Sequence, residues 1–486
     1  MRTAGAGWAV TNLTAASIQI KTFNMKTFVN EDKKQLFESA PVLKAVLALE
    51  IPTVISQLIT VVYNMADTYF IGQVGDPDQV AATSICLPVF MLLTGMANLF
   101  GIGGASLISR SLGKGDTEQA KKASAFSIWA GGFIALLYGV LVYLFRFRLF
   151  PLVGADKATI DLCNRYSLWV ITCGAIPTVL SGTFAHLVRA EGYSKQASFG
   201  VAMGGILNIL LDPLFISGLH MEITGAAVAT LLSNIAATLY FIILIYRKRA
   251  HMVLSMHPRY FTLRSGLPSE IMLVGLPSAV MNLSGVLSNI FMNRLMSSYS
   301  NAAVAGIGIA KKVDLLTYAV ATGMSQGVIP LIGYNYSSKN YKRMMSAVKT
   351  TVVISIAIAV VSTAFLLTQA PMIVRAFIND QKTVVYGSLF QRIICVTGPF
   401  IPVSMVIITM FQSTGRKMTP LILSVLRKGG VDVPAMFLMN HLVGITGIAW
   451  ATPIADIVSM TVAIICFIPF WRDLHQRILD AEAAGE

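Results

Sequence analysis

The residues best suited to chemistry are two carboxylates set in apolar surroundings. Asp67 lies near the end of LALEIPTVISQLITVVYNMADTYFI, residues 47–71, and Asp212 lies in SFGVAMGGILNILLDPLFISG. A charge at bilayer depth is expensive and faces a protein interior or a water-filled cavity. Asn208 is four residues before Asp212, so the two stack on one helical face. Pro213 frees backbone carbonyls beside Asp212, and Thr230 in the next apolar run offers a further oxygen. Two carboxylates, an amide and a hydroxyl suit a hard monovalent cation such as Na+, held by Asp67, Asn208, Asp212 and Thr230. They suit equally a proton shared between the acids. Tyr63 sits one turn before Asp67, and Pro52 lets the same helix bend. The alternative is that both acids are structural polar contacts, satisfied by Tyr63 or Asn64.

A polar stripe accompanies the first acid. Gln57, Asn64 and Thr68 fall at i, i+7 and i+11 and share a face. Other charges in apolar runs are weaker candidates. Asp432 follows Arg427 and Lys428 and is expected to pair with them. Lys311 and Asp314 are spaced for an i, i+3 pair. Asp456 lies deep in the last apolar run, Arg294 is placed to snorkel outward, and His186 reads as a packed, hydrogen-bonded residue before a proton relay. Gly101-x-Gly103-Gly104 and Gly306-x-Gly308 do not complete a nucleotide loop, and no phosphate-binding G-x-x-x-x-G-K-[ST] occurs, so ATP hydrolysis is not expected. The 23 methionines suit a pliable pocket and ordinary helix packing alike.

These groups need elements that hold them in a membrane. Of 486 residues, 55% are hydrophobic and 12% charged, and mean hydropathy is +0.69. Soluble domains carry roughly 25% charged residues, so the chain reads as an all-α integral membrane protein. Apolar runs long enough to span a bilayer recur about twelve times, near 43–71, 79–108, 121–145, 163–188, 197–219, 224–246, 269–297, 302–332, 346–369, 387–413, 419–440 and 444–470. The net charge of +14 is concentrated in alternate connections, which argues for membrane topology over nucleic-acid binding. The basic set includes Lys33, Arg110, Lys121, Arg189, Arg247, Arg264, Lys339, Arg416 and Arg472, with the loop of Arg146, Arg148 and Lys157 as the exception. The bias places both termini and the basic loops in the cytoplasm, with the chain in the cytoplasmic membrane. Cys86, Cys163, Cys173, Cys395 and Cys466 read as small buried hydrophobes, neither a disulfide framework nor a metal site. Residues 1–24 show no signal-peptide core, and Met25 offers an alternative start.

The longest basic connection, 247–266, joins two halves that repeat. Pro52 and Pro277 lie 225 apart, Gly104 and Gly327 223, Gly192 and Gly415 223, and Gly225 and Gly447 222. In this register Gln57, Asn64 and Thr68 face Asn282, Asn289 and Asn293, and Met292 stands where Asp67 does. The acid belongs to one half alone, which places cation coupling there. The repeat divides the chain into a disordered cytoplasmic segment 1–40, a six-helix bundle 41–246, a linker 247–266, a second six-helix bundle 267–470 and a tail 471–486. Gln57, Asn64, Asn282, Asn289, Met292 and Asn293 are candidates for a substrate cavity between the bundles.

YNMADTYFIG, GYNYSSKNYKR, the RAEG turn and the six-plus-six repeat resemble the multidrug and toxic compound extrusion (MATE) family, nearest to its bacterial MepA-like and DinF-like branches, over about residues 40–470. The resemblance implies two six-helix bundles around a V-shaped cavity. It implies export of cationic or amphipathic drugs against inward H+ or Na+, with no other cofactor and no enzymatic activity. It assigns the family's coupling acids to Asp67 and Asp212, its fifth-span amide to Asn208, its sixth-span hydroxyl to Thr230 and its bending proline to Pro52. Other branches place coupling acids in the seventh and tenth spans. This chain has Met292 and Asn293 in one and VSMVIITMFQ in the other. Ala185 and His186 occupy the place of a fourth-span Asn. A monomer is expected. The rival readings are a lipid-linked precursor flippase of related architecture and, from other classes, a membrane-embedded enzyme or a channel.

Overall fold

The computed structural model describes residues 33–264 and 266–483, which form helices joined by turns and irregular connections and contain no strand among them. In the first half run α1 (Val42–Gln73), α2 (Pro77–Gly113), α3 (Thr117–Val153), α4 (Ile160–Cys173 and Ala175–Ala190), α5 (Ser194–Gly218) and α6 (Glu222–Arg247). In the second run α7 (Leu267–Ser297), α8 (Asn301–Ser337), α9 (Tyr341–Thr368), α10 (Gln381–Ser413), α11 (Met418–Val425, Leu426–Val431 and Asp432–Val443) and α12 (Ile445–Ala483). Among the described residues ten helices are long and apolar enough to cross a membrane, and α4 makes an eleventh as a pair bent by 47°. A π-helical stretch at Leu168–Cys173 precedes that bend. The bend needs glycine, since a Cβ on Gly174 would stand 2.3 Å from the Val170 carbonyl oxygen. The twelfth passage is α11, interrupted where Arg427, Lys428, Gly429 and Gly430 lie in a further π-helical stretch, as Leu214–Gly218 is at the end of α5.

The repeat is visible in packing. In the first half α2 packs on α4 and α5 on α6; in the second α8 packs on α10 and α11 on α12. The bundles exchange the starts of their first helices. Ala45, Val46 and Leu49 of α1 are buried in a core with Met344, Val406 and Phe411 of the second bundle. Leu267 and Ile271 of α7 are buried with Phe126, Phe184 and Phe241 of the first. Further along, α1 packs on α5 of its own bundle as well as on α8.

The lobes meet tightly at the end that carries the basic connections. A Cβ on Gly275 would stand 1.9 Å from the Leu99 carbonyl oxygen, and one on Gly103 2.0 Å from that of Ile271, so α2 and α7 touch backbone to backbone. Gln412 of α10 donates to Val274 O and Ser278 Oγ, both at 3.0 Å. Its own carbonyl accepts from Ser106 of α2. Arg110 Nη1 pairs with Glu270 Oε1 at 2.8 Å. Toward the other end Val62 and Tyr69 of α1 and Leu287 and Ile290 of α7 are exposed. The V opens there.

Three expectations change. The segment expected to be disordered up to residue 40 contains a short helix, Lys33–Glu38, whose Phe37 is buried and stacks on Tyr334 at 5.0 Å. Arg343 fixes it by donating to the carbonyls of Phe37 and Leu36 at 2.6 and 3.0 Å. Residues 1–32, with Met25, lie outside the described residues. The tail from 471 is no separate segment, because α12 continues through it. Cys173 is exposed, unlike buried Cys86, Cys163 and Cys395, and all five thiols are free. The linker is strapped to the first bundle. Leu254 N–H donates to Glu191 Oε1 at 2.6 Å, and Trp129 Nε1–H to Met256 O at 3.0 Å.

Candidate cation site and cavity

Three helices of the first bundle bring the predicted polar groups together. The i, i+4 spacing on α5 lets Asn208 Nδ2 donate to Asp212 Oδ1 at 3.2 Å. The same amide reaches Thr230 Oγ1 of α6 at 3.4 Å. Asn208 and Asp212 are buried, and Asp67 of α1 is close enough to Asp212 to act on it electrostatically. Tyr63 packs over α5, where Gly205 leaves room: a Cβ there would stand 2.9 Å from the Tyr63 ring. Tyr166 of α4 closes the group, buried and within electrostatic reach of Asp67, Asp212 and Tyr63.

Hydrogen bonding leaves this cluster short of positive charge. Asp67 Oδ1, Asp212 Oδ2 and Asn208 Oδ1 are buried without a hydrogen-bond partner. Unpaired buried polar atoms are costly, at about 1–3 kcal/mol each. Asn64, which offered a structural explanation for Asp67, turns its Nδ2 to Thr60 O at 2.7 Å. No cluster of three His, Cys, Asp or Glu side chains with metal-site geometry occurs among the described residues. The donor set is instead two carboxylates, one amide oxygen and one hydroxyl. Oxygen donors of this kind fit a hard monovalent ion, and the carboxylates fit a proton.

The candidates for the cavity separate. Asn64, Asn289 and Asn293 are exposed, and Asn282 is half-buried. Gln57 is no free cavity group, since its Nε2 donates to Gln326 Oε1 of α8 at 3.0 Å across the lobes. Met292 is 1% exposed and packs in the core of the second bundle with Met296, Phe390 and Met436, so it does not line the opening. Thr68 returns its hydroxyl to Asn64 O at 3.0 Å. Pro52 lies inside continuous α1.

Of the remaining charges, Lys428 pairs with Asp432 as its spacing suggests, whereas Arg427 and Lys311 take other partners. Arg427 Nε bonds Asp456 Oδ1 at 2.9 Å and not Asp432. Lys428 Nζ is 3.9 Å from Asp432 Oδ2. Lys311 Nζ donates to Thr452 Oγ1 at 3.0 Å, in place of the expected pair with Asp314. His186 is a packed residue as anticipated, with Nε2 3.2 Å from Asn98 Oδ1 and Nδ1 3.4 Å from Arg189 Nη1.

Sequence reasoning missed Glu50. It is 1% exposed, accepts from Thr351 Oγ1 of α9 at 2.5 Å, and leaves Oε2 without a partner. Its signal was present: an acid in an apolar run, two residues before Pro52. Tyr166 and Gln326 carried no comparable signal, because only the tertiary fold places them.

Known proteins agree with this architecture. The MatE family model matches residues 52–214 and again 277–438, once in each bundle. The multidrug export protein MepA of Staphylococcus aureus (strain NCTC 8325 / PS 47) is 31% identical over 428 residues, covering 88% of this chain and 94% of the relative. MepA of Staphylococcus saprophyticus is 30% identical over 441 residues, covering 90% and 96%. A crystal structure of MATE in the straight conformation superposes with a TM-score of 0.85 at 25% identity, over 92% of this chain and 99% of that one. The outward-facing structure of a multidrug resistance MATE transporter of the MOP superfamily gives 0.83 at 26%, over the same shares. With two copies of the family's pattern, two exchanged bundles and relatives aligned nearly end to end, the chain belongs to the MatE family of multidrug export transporters.

Proposed function

We propose that the protein is a secondary active antiporter of the cytoplasmic membrane. It exports cationic or amphipathic compounds in exchange for H+ or Na+, and the ion site is the first-bundle cluster of Asp67, Asn208, Asp212 and Thr230. The observation that carries the reading is the set of three buried oxygens without partners, on Asp67, Asp212 and Asn208. A cation supplies the missing charge, and protonation supplies the missing donor. Intramembrane acids in this condition are functional candidates by default.

The work of the ion is differential binding. It drives transport only by favouring one arrangement of the lobes over the other. With the acids ionised, the cavity holds a cationic compound; uptake of the ion neutralises Asp67 and Asp212 and weakens that hold. Asp67 and Tyr63 both stand on α1, where Tyr63 packs over Gly205 of α5 and the start of the helix is held in the second bundle. A change at Asp67 is thereby delivered to the helix that contains Pro52. In this reading the basic connections and both termini face the cytoplasm, by the positive-inside bias, and the V opens outward.

The test is ethidium efflux from reconstituted vesicles under a proton gradient or a sodium gradient imposed separately. Wild type is expected to respond to one of them, and Asp67→Asn and Asp212→Asn to fall to background in both. Full efflux in either variant, at equal amounts of folded protein, rejects the site. No gradient-driven efflux in folded wild type favours a lipid flippase instead.

A further inference from the structure

The second bundle holds an arrangement that the ion site of the first makes intelligible. Asp432 of α11 is completely buried. Ser288 of α7 donates to its Oδ2 at 2.6 Å, and Thr452 of α12 to its Oδ1 at 3.4 Å. Thr452 lies 222 residues after Thr230, the offset that also relates Gly225 to Gly447. Asp432 lies 220 after Asp212, on the fifth helix of its bundle as Asp212 is on the fifth of the first. An acid on the fifth helix and a threonine on the sixth thus recur, the acid two residues out of the threonine's register.

The difference is what stands four residues before the acid. In the first bundle it is Asn208, with its oxygen unpartnered. In the second it is Lys428, with Nζ 3.9 Å from Asp432 Oδ2 and its side chain 19% exposed. A second ammonium, Lys311, donates to Thr452 Oγ1. Neither oxygen of Asp432 is left over, whereas one oxygen of Asp212 is. Asp314 of α8 and the Arg427–Asp456 pair complete the charged surroundings, with Tyr318 under the guanidinium at 5.5 Å. Three cations and three acids therefore balance inside the bundle.

We propose that this is a second monovalent-cation site whose cation is built in. The Lys428 ammonium stands where an exchangeable ion would bind, with Lys311 satisfying the threonine oxygen. Lys428 thereby sets the number of exchangeable ions: one lobe takes up an ion from solution and the other carries its own.

The inference rests on the first bundle being an ion site, and the experiment separates the two. Cations bound per chain are counted on purified protein as radioactive sodium and, in a parallel arm, as protons taken up between about pH 8 and 5, which brackets ordinary carboxylate and histidine titration. Lys428→Asn is expected to gain one cation over wild type in one arm, and Lys311→Met/Lys428→Asn, with both ammonium positions emptied, at least one. Lys428→Asn/Asp432→Asn is expected to lose that gain, and Asp67→Asn/Asp212→Asn to leave it intact. No gain in either arm by either folded variant overturns the proposal. If the first-bundle reading is the one at fault, wild type and Asp67→Asn/Asp212→Asn bind equally while the gain from Lys428→Asn persists. Should Lys428→Asn fail to fold, recovery of folded protein in sodium chloride or at acid pH, and not in choline chloride at neutral pH, supports the proposal by mass action. Failure under all three conditions counts against it.

Discussion

Asn208 is the pivot of the ion site, since one amide touches both Asp212 and Thr230 and offers a free oxygen besides. Asn208→Ala removes that oxygen and the donor to Asp212. The expected outcome is about a tenfold weaker ion affinity, which corresponds to about 1.4 kcal/mol, read from the gradient dependence of efflux. Glu50 makes a different prediction. Thr351→Val deletes its hydrogen-bond donor and keeps the shape, leaving both carboxyl oxygens unpaired. The cost is expected at about 1–3 kcal/mol, seen as earlier thermal unfolding in detergent, and Glu50→Gln should relieve part of it. An unchanged unfolding temperature in Thr351→Val would show that water or another group serves the carboxyl. At this scale the sequence was informative where chemistry is costly. Acids in apolar runs announced Asp67 and Asp212. The same rule covers Glu50, whose partner Thr351 only the tertiary fold supplies.

At the scale of elements, apolar length announced about twelve passages, of which ten are single long helices, one is a bent pair and one is the interrupted α11. Local pattern did not show the interruptions. The π-helical stretches at Leu168–Cys173, Leu214–Gly218 and Leu426–Val431 depend on what each helix packs against. Ion pairing was misread for the same reason. Spacing along one helix suggested Lys311 with Asp314 and Arg427 with Asp432, yet partners on α12 took Lys311 and Arg427. Met292 shared a stripe with Asn289 and Asn293 by register but turns into its own bundle. The glycine contact of α2 with α7 is an element property with a sharp test. Gly275→Val puts atoms where the Leu99 carbonyl already stands. It is expected to push the lobes apart at the basic end and lower the unfolding temperature. Gly285→Val, where nothing lies within 4 Å of a Cβ, should change it little.

For the whole molecule, the V is closed at one end by a small set of cross-lobe contacts. A disulfide between Ser106→Cys and Gln412→Cys in a cysteine-free background is expected to form in this arrangement and halt export, with restoration by reductant. A pair at Asn64→Cys and Asn289→Cys across the open mouth should resist crosslinking unless the lobes rock together. Efficient crosslinking of the mouth pair with no loss at the basic end would contradict the V as the resting form. The duplication was legible in the sequence through glycine and proline landmarks. The exchange of helix starts between bundles was not, because both cores are built of the same apolar residues and nothing in Ala45 or Leu49 says which will bury it.

That exchange sets a timetable for biogenesis. Glu50 enters the bilayer with the first helix, but its partner Thr351 lies 301 residues later in the chain. At synthesis rates of about 5–20 residues per second, the carboxyl waits about 15–60 s for its donor to leave the ribosome. Phe37 and Leu49 wait comparably for Tyr334 and Val406. The nascent first half is therefore unfinished even when all six of its helices are inserted. Its leading helix must be sheltered by lipid, a chaperone or the insertion machinery until the second half arrives.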